Sequence, residues 1–307
     1  TQDRPPRVLA ITNMYPTPAA PWRGVFVEQQ VNGLRACGSQ VRVLLIDRRQ
    51  KGMRSYFFMG PNLRQAAIEF KPDLIHVMYG GVMAERVTQV LKRLPIVVTF
   101  HGSDLLGENL SGPLRRFISH FGVWCSKRAA SRAQGVVVVS RGLARKIRPS
   151  IPPAKLRIIP CGIDLNRFIP LDRTDCRQRL GWSQEGFHIL FPANNGDPVK
   201  RPWLAKAAAE ILQRDHAGSV KLHYLQGVSN QEVPLWINAA NVILLTSAHE
   251  GSPTVVKEAL ACNVAVVSVD VGDVAERIAG IDGCYLSSGD PLDLSEKLRL
   301  VRTGPAR

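Results

Sequence analysis

Val242-Ile243-Leu244-Leu245-Thr246 runs almost directly into His249-Glu250-Gly251-Ser252-Pro253-Thr254-Val255-Val256-Lys257-Glu258-Ala259. A short apolar run closed by a polar loop reads as a buried strand. The residues after it read as a helix, with Ser252 as a candidate N-cap and Pro253 in the first helical position, where a missing N–H is no loss. Unpaired backbone N–H groups and the positive end of the helix dipole make such a terminus a site for an anion, for example a diphosphate. Glu258 falls farther along the helix, where its carboxylate can accept hydrogen bonds from a pair of ribose hydroxyls. The competing interpretation is a capped surface helix carrying two solvated glutamates.

Outward from this unit the same rhythm repeats. Strands are expected at residues 188–191, 221–225, 264–269 and 284–286, and on the N-terminal side at 7–12, 41–46, 74–78, 96–100, 136–140 and 156–159. Helix-length segments such as 62–70 and 83–94 separate them. This alternation predicts an α/β chain of doubly wound parallel sheets, two Rossmann-like units in tandem. The join is expected at Pro160-Cys161-Gly162-Ile163-Asp164, giving domains 1–165 and 166–307. Residues 48–61 and 104–113 carry no clear period and are expected as long loops lining a cleft.

The chain has 307 residues, 45% hydrophobic and 21% charged, which is the composition of a folded domain pair rather than of a disordered chain. Six cysteines are dispersed without a CxxC or a Cys/His cluster, so neither a zinc site nor a disulfide framework is expected. Together with an N-terminus lacking an apolar leader and no membrane-spanning run, this points to a cytoplasmic protein. Net charge is +15, and residues 1–165 hold 25 Lys and Arg against 9 Asp and Glu, so the basic excess lies wholly in the first half. That asymmetry suits an anionic partner, whether nucleic acid, acidic lipid or an anionic substrate, or simply a soluble basic surface.

Two segments concentrate the charge. Arg48, Arg49, Lys51 and Arg54 precede Tyr56-Phe57-Phe58-Met59, combining cations for headgroups with apolar groups for the interface. Leu114, Phe117, Ile118, Phe121 and Cys125 share a helical face flanked by Arg115, Arg116, Lys127 and Arg128. This second segment reads as an amphipathic helix packed on the sheet with a solvated basic face, or as a helix resting on a membrane. No G-x-G-x-x-G follows the first strand, which excludes a dinucleotide-dependent oxidoreductase, and no nucleic-acid-binding motif is present.

Glu-Gly-Ser-Pro followed at Glu258-Ala259 by a second glutamate, after a strand, resembles the signature of the family 4 retaining glycosyltransferases, whose fold is GT-B. Gly24-Val25-Phe26-Val27, Asp73-Leu74-Ile75-His76, Thr99-Phe100-His101-Gly102-Ser103-Asp104, Val139-Ser140 and Ile159-Pro160-Cys161-Gly162-Ile163-Asp164 with Phe168 and Pro170 resemble that family's segments in the same order. The resemblance implies two Rossmann-like domains facing across a cleft. It also implies transfer of a sugar from a nucleotide-diphosphate sugar to a hydroxyl acceptor, lipid-linked or otherwise anionic, with retention and with neither metal nor cofactor. By similarity Glu258 holds the ribose, and Glu250, Gly251, Ser252, Pro253 and Thr254 meet the phosphates and donor sugar. Lys200 matches the lysine that stabilises the departing diphosphate, with Arg201 as a helper. His101 contacts the donor, and Gly24 either lets the backbone approach a phosphate or is a simple turn glycine, while His76 reads as structural. The sequence departs from the family where Ala193-Asn194-Asn195-Gly196 and Arg201 surround Lys200. Relatives also usually continue beyond the last helix near residues 292–301. A catalytically silent nucleotide-sugar or acceptor-binding protein and a nucleotide-sugar epimerase are the alternatives.

Overall fold

The computed structural model describes residues 4–47, 52, 54–107, 112–193, 198–215 and 218–304. The chain divides into two compact units, Thr1–Gly162 and Ile163–Arg307.

The first unit is built on six strands, β1 (Arg7–Thr12), β2 (Gln40–Leu45), β3 (Leu74–Val77), β4 (Ile96–Phe100), β5 (Gly135–Val138) and β6 (Leu156–Ile158). They lie in the order β2-β1-β3-β4-β5-β6 and every pair is parallel. The second unit has β7 (Phe187–Phe191), β8 (Val220–Tyr224), β9 (Val242–Leu245), β10 (Ala265–Val269) and β11 (Tyr285–Ser287). Their order is β11-β10-β9-β7-β8, again wholly parallel. β7, β9 and β10 are buried along their whole length, as unbroken apolar runs require in a sheet covered on both faces. Separate apolar clusters fill the two faces, one with Ile189, Leu244, Val267 and Leu294, the other with Leu190, Ile243, Val256 and Val266.

In each unit the strand order reverses once, between β1 and β3 and between β7 and β9. The crevice beyond the carboxyl ends of the strands at such a reversal is where open α/β sheets bind ligands. Lys200 follows β7 and Glu250 follows β9, so the second unit's switch point is flanked by residues singled out from the sequence.

Three local expectations are corrected. The stretch 48–61 is not one long loop, because helices at Arg54–Phe57 and Met59–Phe70 occupy its second half, held by buried Tyr56 and Met59. Arg48, Arg49, Lys51 and Met53 lie outside the described residues. Residues 104–113 begin inside a helical turn, Ser103–Leu106, which the buried Asp104 organises. The helix Pro113–Arg132 is not packed along its apolar face: Leu114, Phe117, Ile118 and Phe121 are exposed, and of that set only Cys125 is buried.

Gly24 caps the helix Val25–Ala36 in the left-handed conformation, with φ of 69°. A Cβ there would stand 2.5 Å from the backbone of Met14, whereas one on Gly33 within the same helix would meet nothing. Gly24→Ala is therefore expected to destabilise the first unit by about 1–3 kcal/mol and Gly33→Ala to stabilise it by roughly 0.4–1 kcal/mol. Thermal unfolding of the two variants checks the opposite signs.

Candidate functional site

The second unit assembles its polar groups from two loops sewn together by backbone hydrogen bonds. The buried Thr246, just beyond β9, donates its hydroxyl to the Lys200 carbonyl at 2.7 Å, and Ala248 N–H donates to Val199 O at 2.8 Å. Arg201 reinforces the seam, its Nε and Nη2 donating to the carbonyls of Thr246 (2.6 Å) and Ser247 (3.2 Å). Its backbone sits at φ 52°, in the left-handed region that favours glycine. The guanidinium expected as a diphosphate helper is thus engaged with carbonyls that close the loop. Residues 194–197, the altered stretch before Lys200, lie outside the described residues.

This seam brings Lys200 Nζ to 2.6 Å from Glu250 Oε1, an ion pair partly open to solvent. An ammonium has three donors. The contact with Glu250 uses one and fixes where the side chain points.

The helix beyond Glu250 spans Thr254–Ala261, with Pro253 in the capping position. Ser252 does not cap it, contrary to expectation. The nearly buried Ser252 hydroxyl instead donates to Asp273 Oδ2 at 2.9 Å and accepts from Lys257 Nζ at 3.0 Å. Asp273 is itself buried and also receives Arg277 Nε at 2.9 Å, so the loop is tied to the connection after β10. Close backbone packing completes the tie, since a Cβ on Gly272 would stand 2.9 Å from Gly251 O. With no capping side chain, the helix terminus keeps its electrostatic attraction for an external anion.

Glu258 lies within this helix and is only 8% exposed, which rules out the solvated-glutamate interpretation. Burial pushes its carboxyl up to about 7, against the opposing pull of the Arg167 charge, a Thr254 hydrogen bond and Lys257. Arg167, which sequence reasoning passed over, stacks on Phe168 at 4.6 Å and donates Nη2 to Asn230 Oδ1 at 3.1 Å. The only signal available was its position next to Phe168 in the segment after the domain join. Asp273 was also missed, because its role is set by a contact with Ser252 across 21 residues of sequence.

The first unit holds the remaining candidates. His101 directly follows β4, and the buried Asp104 carboxylate accepts from the backbone N–H groups of His101 (3.1 Å), Gly102 (2.8 Å) and Gly80 (3.0 Å). Burial raises the Asp104 carboxyl above its ordinary range, opposed by these same N–H donors. The His101 ring lies 4.6 Å from Phe26 and 6.4 Å from Tyr79, with Nδ1 3.6 Å from Cys161 Sγ. Its Nε2 is buried with no hydrogen-bond partner among the described residues. Burial, aided by nearby His76, depresses the ring to about 3, so at neutral pH it is an uncharged imidazole. Phe26 lies on the helix that Gly24 opens, which places Gly24 and His101 in one neighbourhood of the unit. His76 is buried with Nε2 2.7 Å from Thr99 Oγ1, a satisfied structural histidine. Among the described residues no group of three or more His, Cys, Asp and Glu side chains is arranged to hold a metal ion.

The Glu258 carboxyl titrates near 7 in the folded protein and near 4.5 when unfolded, so between those pH values the native state holds the extra proton. Native stability should accordingly fall as pH rises from about 4.5 to about 7, by up to about 3 kcal/mol, and level off above. Glu258→Gln removes this slope. Thermal unfolding at pH 5 and pH 8 is expected to show a larger loss in the wild type than in the glutamine variant.

Comparison with known proteins follows the same division. The family description "Glycosyltransferase Family 4" matches residues 17–167 and "Glycosyl transferases group 1" matches residues 195–302. A protein of Bacillus subtilis (strain 168) named for teichuronic acid biosynthesis, the glycosyltransferase TuaC, is 27% identical over 88% of this chain and 82% of its own. A D-inositol 3-phosphate glycosyltransferase of Frankia alni is 30% identical, over 49% of this chain and 45% of its own length. Among solved structures, sucrose-phosphate synthase from Thermosynechococcus elongatus superposes with a TM-score of 0.79 at 17% identity, over 97% of this chain and 90% of that one. The Anabaena HepE protein in complex with UDP-glucose gives 0.65 at 15% identity, over 96% and 90%. These structural likenesses share the GT-B fold, two parallel-sheet α/β units in one chain. With both family descriptions matched in order along the two units, the chain belongs to the group 1 glycosyltransferases, of family 4, and is an enzyme of glycosyl transfer.

Proposed function

We propose that the enzyme takes a sugar from a nucleotide-diphosphate sugar and passes it to a hydroxyl acceptor with retention of anomeric configuration and without a metal ion. The observation that carries this is the Lys200–Glu250 pair beside an uncapped helix terminus, with the buried Glu258 on the same helix. The helix terminus and Lys200 present positive potential to a diphosphate, and Glu258 presents a carboxylate to ribose hydroxyls. Complexes of HepE with UDP and UDP-glucose, and of a plant starch synthase with ADP, show nucleotides in proteins of this fold.

In the proposed reaction the bond between the anomeric carbon and the diphosphate oxygen breaks, and the diphosphate leaves with the electron pair. The acceptor oxygen bonds to the same carbon from the face the diphosphate vacates, and its proton passes to the departing phosphate. Negative charge grows on that phosphate as the bond breaks, so a cation held near it stabilises the transition state more than the ground state. Lys200 supplies that cation, and Glu250 keeps its ammonium from swinging into solvent. Glu250 also retains a carboxylate oxygen able to accept from a hydroxyl of the donor sugar. His101, uncharged, contacts the donor sugar or a phosphate through a hydrogen bond rather than as an ion. The acceptor is anionic or lipid-linked, in keeping with the basic excess of residues 1–165, and the first unit attaches peripherally to anionic membrane.

Lys200→Ala should lower kcat by roughly 10- to 100-fold while raising KM much less, equivalent to about 1.4–2.7 kcal/mol of transition-state stabilisation. Steady-state kinetics with chemistry shown to be rate-limiting tests this, and equal turnover in variant and wild type contradicts the assigned role. Turnover should also survive EDTA. Loss of activity on chelation, restored by magnesium or manganese, would require a metal at the diphosphate. The anomeric configuration of the product, read by proton NMR, tests retention.

A further inference from the structure

The helix Pro113–Arg132 is buried at one end only. Ser126 Oγ donates to Asp104 O (2.6 Å) and accepts from Gly81 N–H (2.7 Å), while Arg128 and Arg132 both reach Glu85 Oε1, at 3.1 and 2.6 Å. Cys125, Ser126, Ala129 and Ala130 are buried along this inner half. From Gly112 to Ile118 every residue is exposed, and Leu114 (70%), Phe117 (68%), Ile118 (51%), Phe121 (44%) and Trp124 (50%) form an apolar stripe at helical spacing in contact with water.

Nothing among the described residues covers this outer half. The helix has no Asp or Glu, and it carries Arg115 and Arg116 in the turn where a helix dipole disfavours cations. Gly112 provides no side-chain cap. Sequence selected for stability of the free chain would place acids and a capping residue there and keep phenylalanine out of the stripe. The combination of large apolar groups, cations and absent acids matches an amphiphile with negative headgroups.

We infer that the outer half of this helix is a docking surface that seats in the interface of a membrane bearing anionic lipid. The inference locates, and so rests on, the membrane attachment proposed for the first unit. Charge complementarity selects the partner: Arg115 and Lys127 are exposed on a helix whose own sequence has no Asp or Glu. Trp124, stacked with Phe121 at 5.6 Å and covered by Arg128 at 4.7 Å, stands where the outer half meets the body, the level at which tryptophan and arginine anchor proteins to headgroups. No helix among the described residues is long and apolar enough to cross a membrane, so the contact is interfacial. Phe57, which ends the four-residue helix Arg54–Phe57, and Phe58, which precedes the helix Met59–Phe70, are also exposed, and the surface does not depend on them.

The test is co-sedimentation of the full chain with vesicles of phosphatidylcholine alone and of phosphatidylcholine mixed with phosphatidylglycerol, at low and high salt. Wild type should pellet with the mixed vesicles only, and less at high salt. Phe117→Ser with Phe121→Ser should reduce the partition coefficient at least about tenfold, and Arg115→Gln with Arg116→Gln should weaken binding and flatten its salt dependence. Trp124 emission, taken as the difference between wild type and Trp124→Phe, should shift to the blue on binding. All five substituted residues are exposed, so folding is expected to survive, and unchanged calorimetric binding of UDP, ADP or GDP by the variants would show it. Undiminished vesicle binding by the double serine variant would overturn the inference, as would no binding by wild type. Wild-type self-association in vesicle-free solution, abolished by the same variant, would overturn it in favour of a second copy as the occupant. Because vesicle binding needs no nucleotide, failure of the donor-site proposal would leave this result standing, and the reverse also holds.

Discussion

Parallel pairing is the constraint on which the rest depends. When every strand of a sheet points the same way, all loops that follow strands emerge along one edge. In the second unit β7 and β9 are direct neighbours, with Ile189 paired to Val242 and Leu190 to Ile243. Lys200 and Glu250, 50 residues apart in sequence, therefore leave the sheet side by side and meet at 2.6 Å. β10, paired to β9 on its other side, delivers Asp273 to Ser252 by the same logic. A single antiparallel strand in that trio would send one of these loops to the opposite edge.

Buried acids are handled in different ways, and the differences follow from their surroundings. Asp104 receives three backbone N–H donors and uses them to shape the turn that carries His101. Asp273 is met by the guanidinium of Arg277 and the hydroxyl of Ser252. Glu258 has a hydrogen bond from Thr254 and the field of Arg167, which offset its desolvation only in part. An incompletely compensated carboxyl on a helix that opens at an anion-attracting terminus is a group with bonding capacity to spare, the condition expected of a ligand contact rather than a structural pair.

Much of this was legible in the sequence, for a physical reason. Strands buried on both faces must be apolar without alternation, and loops between them must break that pattern, so the central strands β7, β9 and β10 appear as runs such as Val264 to Val269 framed by polar residues. Family resemblance then pointed to the loops at the strand ends. What escaped was decided by competition between distant partners. Ser252 has the chemistry of an N-cap, yet Asp273 and Lys257 claim its hydroxyl. Arg201 looked like a spare cation, but its left-handed backbone turns the guanidinium onto the Thr246 and Ser247 carbonyls. Leu114 to Cys125 has helical apolar spacing, and spacing alone does not say where the supporting element ends. The inner half of the helix packs on the Gly81–Val90 helix, while Phe117 and Phe121 are exposed.

In the proposed function a nucleoside diphosphate binds the second unit at the terminus of the Thr254–Ala261 helix, with its ribose on Glu258 and its phosphates on Lys200. A crystal structure of the enzyme soaked with the nucleoside diphosphate that binds most tightly in solution tests it most directly. Phosphate oxygens are expected within hydrogen-bond distance of Lys200 Nζ and of backbone N–H groups near Thr254, with both ribose hydroxyls donating to the Glu258 carboxylate. A nucleotide seated elsewhere, or one at this terminus with Glu258 still turned away from the ribose, would contradict it.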